Sequence, residues 1–279
     1  ALCCLPLEAH SLLVAGYAHG RLNAWELEAG RPCTPPQWEE AHAGRVSALA
    51  AISGGTSLLS ASSDGLIKEW ALDSSNLGEL RAVFPGHRAA VSAVATQLWG
   101  RNLFLSGSHD RTMCLWDLRQ GTVASRWQQK DWVTCVEFHP TMQDRILSSD
   151  KAVHQWDLRK PGTPPLLSSH KHHKLVSCFR LDPMRLASCS LDGSVKVSSL
   201  EEPAVRVASP MASPQSSPQL GPAPVPTEVH NALRGLTSLT AAGGDVCTLT
   251  RKSDYVLSID FDATSLLAGS IDGHVDIYD

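Results

Sequence analysis

The sequence predicts an all-β chain, a propeller built from repeated four-stranded sheets. Three observations lead there. The stretch Ser106–Leu118, SGSHDRTMCLWDL, reads as a hairpin: one alternating strand ends in a tight turn holding Asp110. The next strand places Thr112, Cys114 and Trp116 on one face and Met113 and Leu115 on the other. The offset from Asp110 to Trp116 recurs from Asp64 to Trp70 and from Asp150 to Trp156, with weaker copies from His19 to Trp25, Asp192 to Ser198 and Asp272 to Tyr278. The first four copies are 45, 46 and 40 residues apart, the period of a four-stranded blade.

The hairpin ends in Trp-Asp-Leu and is preceded by Pro85-Gly86-His87. In this it resembles the WD repeat, and the likeness covers the chain apart from roughly residues 201–250. The resemblance implies a hydrogen-bonded set of His, Ser, Asp and Trp that locks each blade. Two copies carry all four positions: His42, Ser60, Asp64 and Trp70, then His87, Ser106, Asp110 and Trp116. Asp150 with Trp156, Asp192 and Asp272 continue the series as structural pins. A buried carboxylate needs such donors, because leaving it unpaired costs several kcal/mol. Although His, Ser and Asp occur together, the trio repeats from blade to blade and an active site would not, so the structural role is preferred to a hydrolytic triad.

The composition suits one domain spanning 1–279. With 279 residues, 43% of them hydrophobic, the chain can bury a substantial core, and seven blades of about forty residues would need about 280. The net charge of -4 and pI near 6.3 make nucleic acid an improbable partner. No apolar run approaches the ~18 residues of a membrane span, and the opening ALCCLPL lacks a basic region and a cleavage signature. A cytoplasmic or nuclear protein without membrane contact is expected. Cys4, Cys135 and Cys178 fall at the position that Ala48, Ala93 and Ser258 fill in other copies, near the middle of each innermost strand. They read as small apolar side chains where blades converge, in preference to a disulfide framework or a zinc site.

Along the chain, blade one takes strands at Ala1–Leu5, Leu12–Gly16 and Arg21–Leu27. Blade two runs from Val46 to Leu72 and blade three from Val91 to Leu118. Blade four starts at Val133, with Lys130 near the place of the His, and blade five spans Val176–Leu200. Ser198 stands where blade five should carry its Trp, so this blade is expected to be looser. Ser209–Pro226 is rich in Pro, Ser and Gln and reads as a mobile loop at about 209–230. Its Ser209-Pro210, Ser213-Pro214 and Ser217-Pro218 pairs could accept phosphate. Leu236–Thr240 and Val246–Thr250 read as a further hairpin, a degenerate blade. Seven blades are therefore favoured, six clear and one degenerate; six blades with one long insertion is the alternative. The chain opens in an innermost strand and stops after a third one, so upstream residues are expected to supply the closing strand.

Loops on propeller faces carry binding. The inter-blade connections and second-to-third strand turns share one face, and they hold Arg45, Arg88, Arg111, Lys130, Lys151, Lys171 and Lys174. The opposite loops are richer in acids, including Glu28, Asp73, Glu79, Glu201 and Glu202. One face should be basic and the other acidic. Arg45, Trp132 and Tyr255 each precede an innermost strand and His109 precedes the turn aspartate, so they should crowd the channel mouth. Together with Arg88, Arg111 and Lys174 they are the candidate partner-binding residues, of the types that dominate binding energy once desolvated. The partner expected is a protein substrate or peptide, acidic or phosphorylated. The run His170-Lys171-His172-His173-Lys174 lacks ligand spacing and reads as a solvated, pH-sensitive loop.

The expected function is a binding platform without catalytic residues, metal or cofactor. The stretch PGHRAAVSAVATQLWGRNLFLSGSHDRTMCLWDLR and the ending SLLAGSIDGHVDIYD are similar to the F-box/WD-repeat proteins. That resemblance implies the substrate-recruiting part of a cullin-type ubiquitin ligase, with a Skp-type adaptor bound through an F-box upstream of Ala1. A scaffold subunit in trafficking or RNA processing is the alternative, and a propeller enzyme comes third.

Overall fold

Each repeat folds into an antiparallel meander whose strands pair in sequence order. The structure, a computed structural model, describes residues 2–6, 11–52, 55–73, 75–97, 102–199, 246–250, 255–261 and 265–278. Sheet one pairs β1 (Leu2–Pro6), β2 (Ser11–Gly16), β3 (Leu22–Glu26) and β4 (Arg31–Pro32) in that order. Sheet two holds β5 (Val46–Ala51), β6 (Ser57–Ser62), β7 (Leu66–Ala71) and β8 (Leu80–Pro85). Sheet three is β9 (Val91–Thr96), β10 (Leu103–Ser108), β11 (Thr112–Asp117) and β12 (Thr122–Gln128). Sheet four is β13 (Cys135–Phe138), β14 (Arg145–Ser149), β15 (Val153–Asp157) and β16 (Leu167–Ser169). Sheet five is β17 (Val176–Leu181), β18 (Arg185–Ser190), β19 (Ser194–Ser199) and β20 (Val246–Thr250); sheet six is β21 (Val256–Phe261), β22 (Leu266–Ser270) and β23 (Val275–Tyr278).

The blade count departs from the expectation of seven. Val246–Thr250 does not open a degenerate blade: it pairs with β19, Ser194 opposite Thr250 and Ser198 opposite Val246, as the outer strand of sheet five. Among the described residues there are six sheets. The partner proposed for that hairpin, Leu236–Thr240, lies outside the described residues, as do the Pro/Ser-rich segment and its Ser-Pro pairs.

Successive first strands, β1, β5, β9, β13, β17 and β21, contact one another in chain order from β1 to β21, so the sheets fan out from a shared inner edge. Hydroxyl groups stitch that edge: Ser47 Oγ donates to the Val91 carbonyl, Ser92 to Val133 at 2.5 Å and Ser177 to Val256 at 2.5 Å. The cores lie between sheets. Leu12, Val14 and Leu22 of sheet one pack on Val46, Leu58 and Trp70 of sheet two, while Leu59, Ile67 and Phe84 of sheet two pack on Val94, Phe104 and Trp116 of sheet three. The seam between sheets four and five is leaner, with Leu147, Val153, Phe179 and Leu186 as its buried apolar set. Second strands such as β6 and β10 are buried on both faces. Outer strands such as β12 alternate exposed and covered residues, because one face meets solvent.

Candidate functional site: the hairpin pins and the loop rim

In sheets two and three each hairpin is tied by a four-part relay. Trp70 Nε1–H donates to Ser60 Oγ at 2.8 Å, and Ser60 lies 2.7 Å from His42 Nε2. An ionised carboxylate can only accept, so the imidazole carries its proton on Nδ1, which donates to Asp64 Oδ2 at 3.0 Å, and Nε2 accepts the serine proton. Sheet three repeats this with Trp116 to Ser106 at 2.7 Å, Ser106 to His87 at 2.7 Å and His87 to Asp110 at 2.9 Å. Burial lowers the basicity of both histidines, in keeping with neutral rings. Burial also opposes ionisation of Asp110. Hydrogen bonds from Thr112 Oγ1, the Arg88 N–H and His87 outweigh it and hold the carboxyl down to about 2. The glycine of Pro85-Gly86-His87 is needed because a Cβ there would stand 2.7 Å from the Trp116 ring.

Sheet four keeps the indole and the acid but changes their partners. Trp156 Nε1–H donates to Ser148 Oγ at 2.8 Å, and the group that reaches Ser148 from the connecting loop is the Gln129 amide, not Lys130. Gln129 is buried and Lys130 exposed, since an amide can be enclosed without the penalty of a charge. Asp150 takes its imidazole from His154 on β15, at 2.9 Å. Nothing in the repeat spacing marks His154, which falls on the register position of Cys114.

Sheet five overturns the expectation of a solvated His-Lys loop at two of its histidines. His170 and His172 are not solvated: they are 4% and 8% exposed. His172 takes the usual place, 2.9 Å from Ser188 and 2.8 Å from Ser194. His170 bridges Ser188 and Ser198, 2.8 Å from each. It therefore replaces the indole that Ser198 cannot supply, donating to the same serine position that Trp70 and Trp116 bond elsewhere. His170 thus restores the hydrogen bond that the missing Trp would have supplied. Asp192 is held far below the usual carboxylate range: burial opposes this, but His172, Ser194 and the His173 N–H donate to it. Both nitrogens of each ring are engaged by serines, and among the described residues no group of three His, Cys, Asp or Glu side chains could hold a metal. Asp272 differs from the other pins: it is exposed, accepting from Ser270 Oγ and the His274 N–H, and residues 251–254, the connection before its sheet, lie outside the described residues.

The rim residues sit on a fixed backbone. The carbonyls of Arg45, Ala90, Leu175 and Tyr255 each accept from the hairpin turn of their own sheet, at 2.8 to 3.1 Å, from Ser63, His109, Leu191 and Ile271. Val46, Val133 and Val176, at the start of sheets two, four and five, bond back to the preceding sheet at Tyr17, Ser108 and Asp150. Arg45 and Tyr255 are thus equivalent positions of two sheets. The structure brings the candidates together in pairs. His109 and Trp132 stack with centroids 4.6 Å apart and planes at 14°, and Trp132 remains 48% exposed. Lys174 Nζ lies 4.8 Å above the Tyr255 ring, which is 41% exposed. Arg45, Arg88 and Arg111 are exposed. Lys151 is not free, forming an ion pair with Asp131 at 3.1 Å. Arg111 has φ 68, at the turn position that Gly65, Gly193 and Gly273 fill with φ 87, 81 and 83. Spacing alone could have flagged it, as the one arginine among those glycines.

Three segments, residues 35–71, 78–117 and 164–197, match the family model "WD domain, G-beta repeat". The chain is 33% identical over 146 residues to human Pre-mRNA-processing factor 17, covering 50% of this chain and 24% of that protein. It is 31% identical over 147 residues to Protein SPA1-RELATED 3 of Arabidopsis thaliana, covering 51% of this chain and 17% of that one. The chain thus spans a quarter or less of the length of these relatives. Among solved structures, the computationally designed Ika8 protein shares the fold at TM-score 0.65 with 19% identity, over 100% of this chain and 70% of that one. The repeat matches, the six antiparallel meanders and the Trp–Ser–His–Asp relays agree with one another: the chain is an all-β WD40 β-propeller.

Proposed function

We propose that this propeller is a rigid platform whose loop rim binds an acidic or phosphorylated protein segment, through Arg45, Arg88, His109, Arg111, Trp132, Lys174 and Tyr255. The observation that carries the reading is the pairing of half-exposed rings with basic groups on a pinned backbone. Lys174 offers charge for an anion, and the Tyr255 ring and the stacked His109–Trp132 pair offer flat surface for its apolar atoms. Arg111 adds support, since a non-glycine residue at positive φ carries strain of ~1–2 kcal/mol, and such strain concentrates at functional positions. The finer role we propose is recruitment of substrate to a Skp- and cullin-type ubiquitin ligase, on the likeness of the repeats to the F-box/WD-repeat proteins. A second reading, a scaffold in a nuclear RNA-processing assembly, is favoured by the likeness to Pre-mRNA-processing factor 17. Under either reading no cofactor takes part. Among the described residues no helix is long and apolar enough to cross a membrane.

Co-purification of the full-length protein separates the two roles. Stoichiometric capture of a Skp-type adaptor supports the ligase reading; capture of spliceosomal proteins without the adaptor favours the scaffold. For the rim itself, Arg45→Glu with Lys174→Glu should weaken association with a phosphorylated or acidic peptide at least tenfold in fluorescence anisotropy, with the melting temperature nearly unchanged. Retained binding there, with loss on reversal of Glu28 and Glu79, would move the working surface to the acidic face.

A further inference from the structure

At the seam between sheets four and five, sulfur takes over part of the work that hydroxyl groups do at the neighbouring seams. Cys135 Sγ on β13 reaches across to the Phe179 carbonyl of β17 at 4.0 Å, and Cys178 Sγ lies 3.7 Å from the same oxygen. The two sulfurs therefore converge on one carbonyl oxygen from adjoining inner strands. Both residues are half-buried and free, packed at the margins of the apolar clusters on the two sides of sheet five. Beside them Arg180 holds Glu137 at 2.8 Å, so a guanidinium stands in the field of Cys178. The third nearby thiol is different. Cys189 pairs with Cys178 in register, is fully buried and donates to the Cys178 carbonyl at 3.5 Å, and burial pushes it up to about 12.

We propose that Cys178 and Cys135 form a peroxide-responsive dithiol, oxidised to a disulfide that staples sheet four to sheet five. The geometry assigns the roles. Cys178 is the attacking sulfur, because Arg180, two residues along β17 and so on the same strand face, sets a guanidinium beside it; its thiol is held below the ordinary range by its neighbour Cys135 first, against burial, and then by Arg180 and the Ile259 N–H. Cys135 is the resolving sulfur, its thiol raised by its neighbour Cys178 and by burial. In the first step the Cys178 thiolate attacks one oxygen of a hydroperoxide. The O–O bond breaks, the departing hydroxide takes a proton as water, and the sulfur is oxidised by two electrons to sulfenic acid. In the second step Cys135 attacks that sulfur, the S–S bond forms, and the Cys135 proton leaves with the sulfenic hydroxyl as a second water. The staple closes the seam with the leanest apolar core, Leu147, Val153, Phe179 and Leu186, so oxidation should tighten the propeller where packing contributes least.

The test is hydrogen peroxide at near-stoichiometric amounts on the reduced protein, read by intact mass and by non-reducing peptide mapping. The expected result is loss of two hydrogens, a linked pair of peptides carrying Cys135 and Cys178, and a rise of several degrees in melting temperature that dithiothreitol reverses. Cys135→Ser should leave a sulfenic acid on Cys178 that dimedone traps, and Arg180→Gln should slow oxidation on the order of tenfold. Mapping the unaltered protein decides the matter even if a variant fails to fold. Free Cys135 and Cys178 after peroxide, or a bond to Cys189 instead, would overturn the proposal.

Discussion

Asp110 shows how much a single carboxylate organises. It accepts from the Thr112 N–H and Oγ1, the Arg88 N–H and His87, which joins a turn, a strand and the connection from the preceding sheet. Asp110→Ala strands these donors and should destabilise the protein by about 1–3 kcal/mol in urea unfolding, while Asp272→Ala, at an exposed turn, should lower stability by under about 1 kcal/mol. Equal losses would contradict the distinction between the two acids. One residue along, the left-handed backbone of Arg111 predicts the opposite sign. Arg111→Gly relieves the strain and should stabilise by about 1 kcal/mol in the same assay. If Arg111 also serves the rim, the same variant binds the acidic peptide more weakly while melting higher.

At the scale of the element, sheet five differs from its neighbours in being held by two buried imidazoles, His170 and His172. His170 is pushed down to about 3 by burial first, then by His172 and Lys196, against an ordinary value of ~6.5 in the unfolded chain. Below about pH 6.5 the unfolded chain therefore binds a proton that the folded one refuses. The stability tied to His170 is fully present above that pH and drains away as pH falls toward 3, with a slope approaching 1.4 kcal/mol per unit. Unfolding midpoints should fall steeply between pH 6.5 and 4 in the native sequence. His170→Gln should be less stable at neutral pH and flatter across that window; an unchanged slope would remove His170 as its source. Hydrogen exchange would place the first acid-induced opening in β17 to β19.

For the whole molecule, the fan of sheets converts local hairpin positions into a rim. Arg45 and Tyr255 occupy the same position of sheets two and six, more than two hundred residues apart in sequence, because each sheet delivers that residue to the inner edge. A partner steered by this rim should bind more weakly as salt rises, since exposed charges more than ~10 Å apart are screened at 0.1 M. Anisotropy titrations at two salt concentrations test this, and salt-independent binding would point to an apolar contact instead.

What the sequence determined by itself is everything carried inside one hairpin. The Asp-to-Trp offset, the strand alternation and the small residue facing the axis are local, so the propeller class, the pins at Asp64 and Asp110 and the hinge position of Arg111 could be read from spacing. What the tertiary structure decided is which side chain answers each pin. His170 takes the indole's place in sheet five, Gln129 rather than Lys130 reaches Ser148, His154 holds Asp150 from the facing strand, and Val246–Thr250 completes sheet five after a long intervening segment. Periodicity fixes which residues face inward. It carries no information about which of several polar side chains at the end of a connection will be buried, because that choice is set by the hydrogen-bond partners left open across a seam, and those exist only once neighbouring sheets have met.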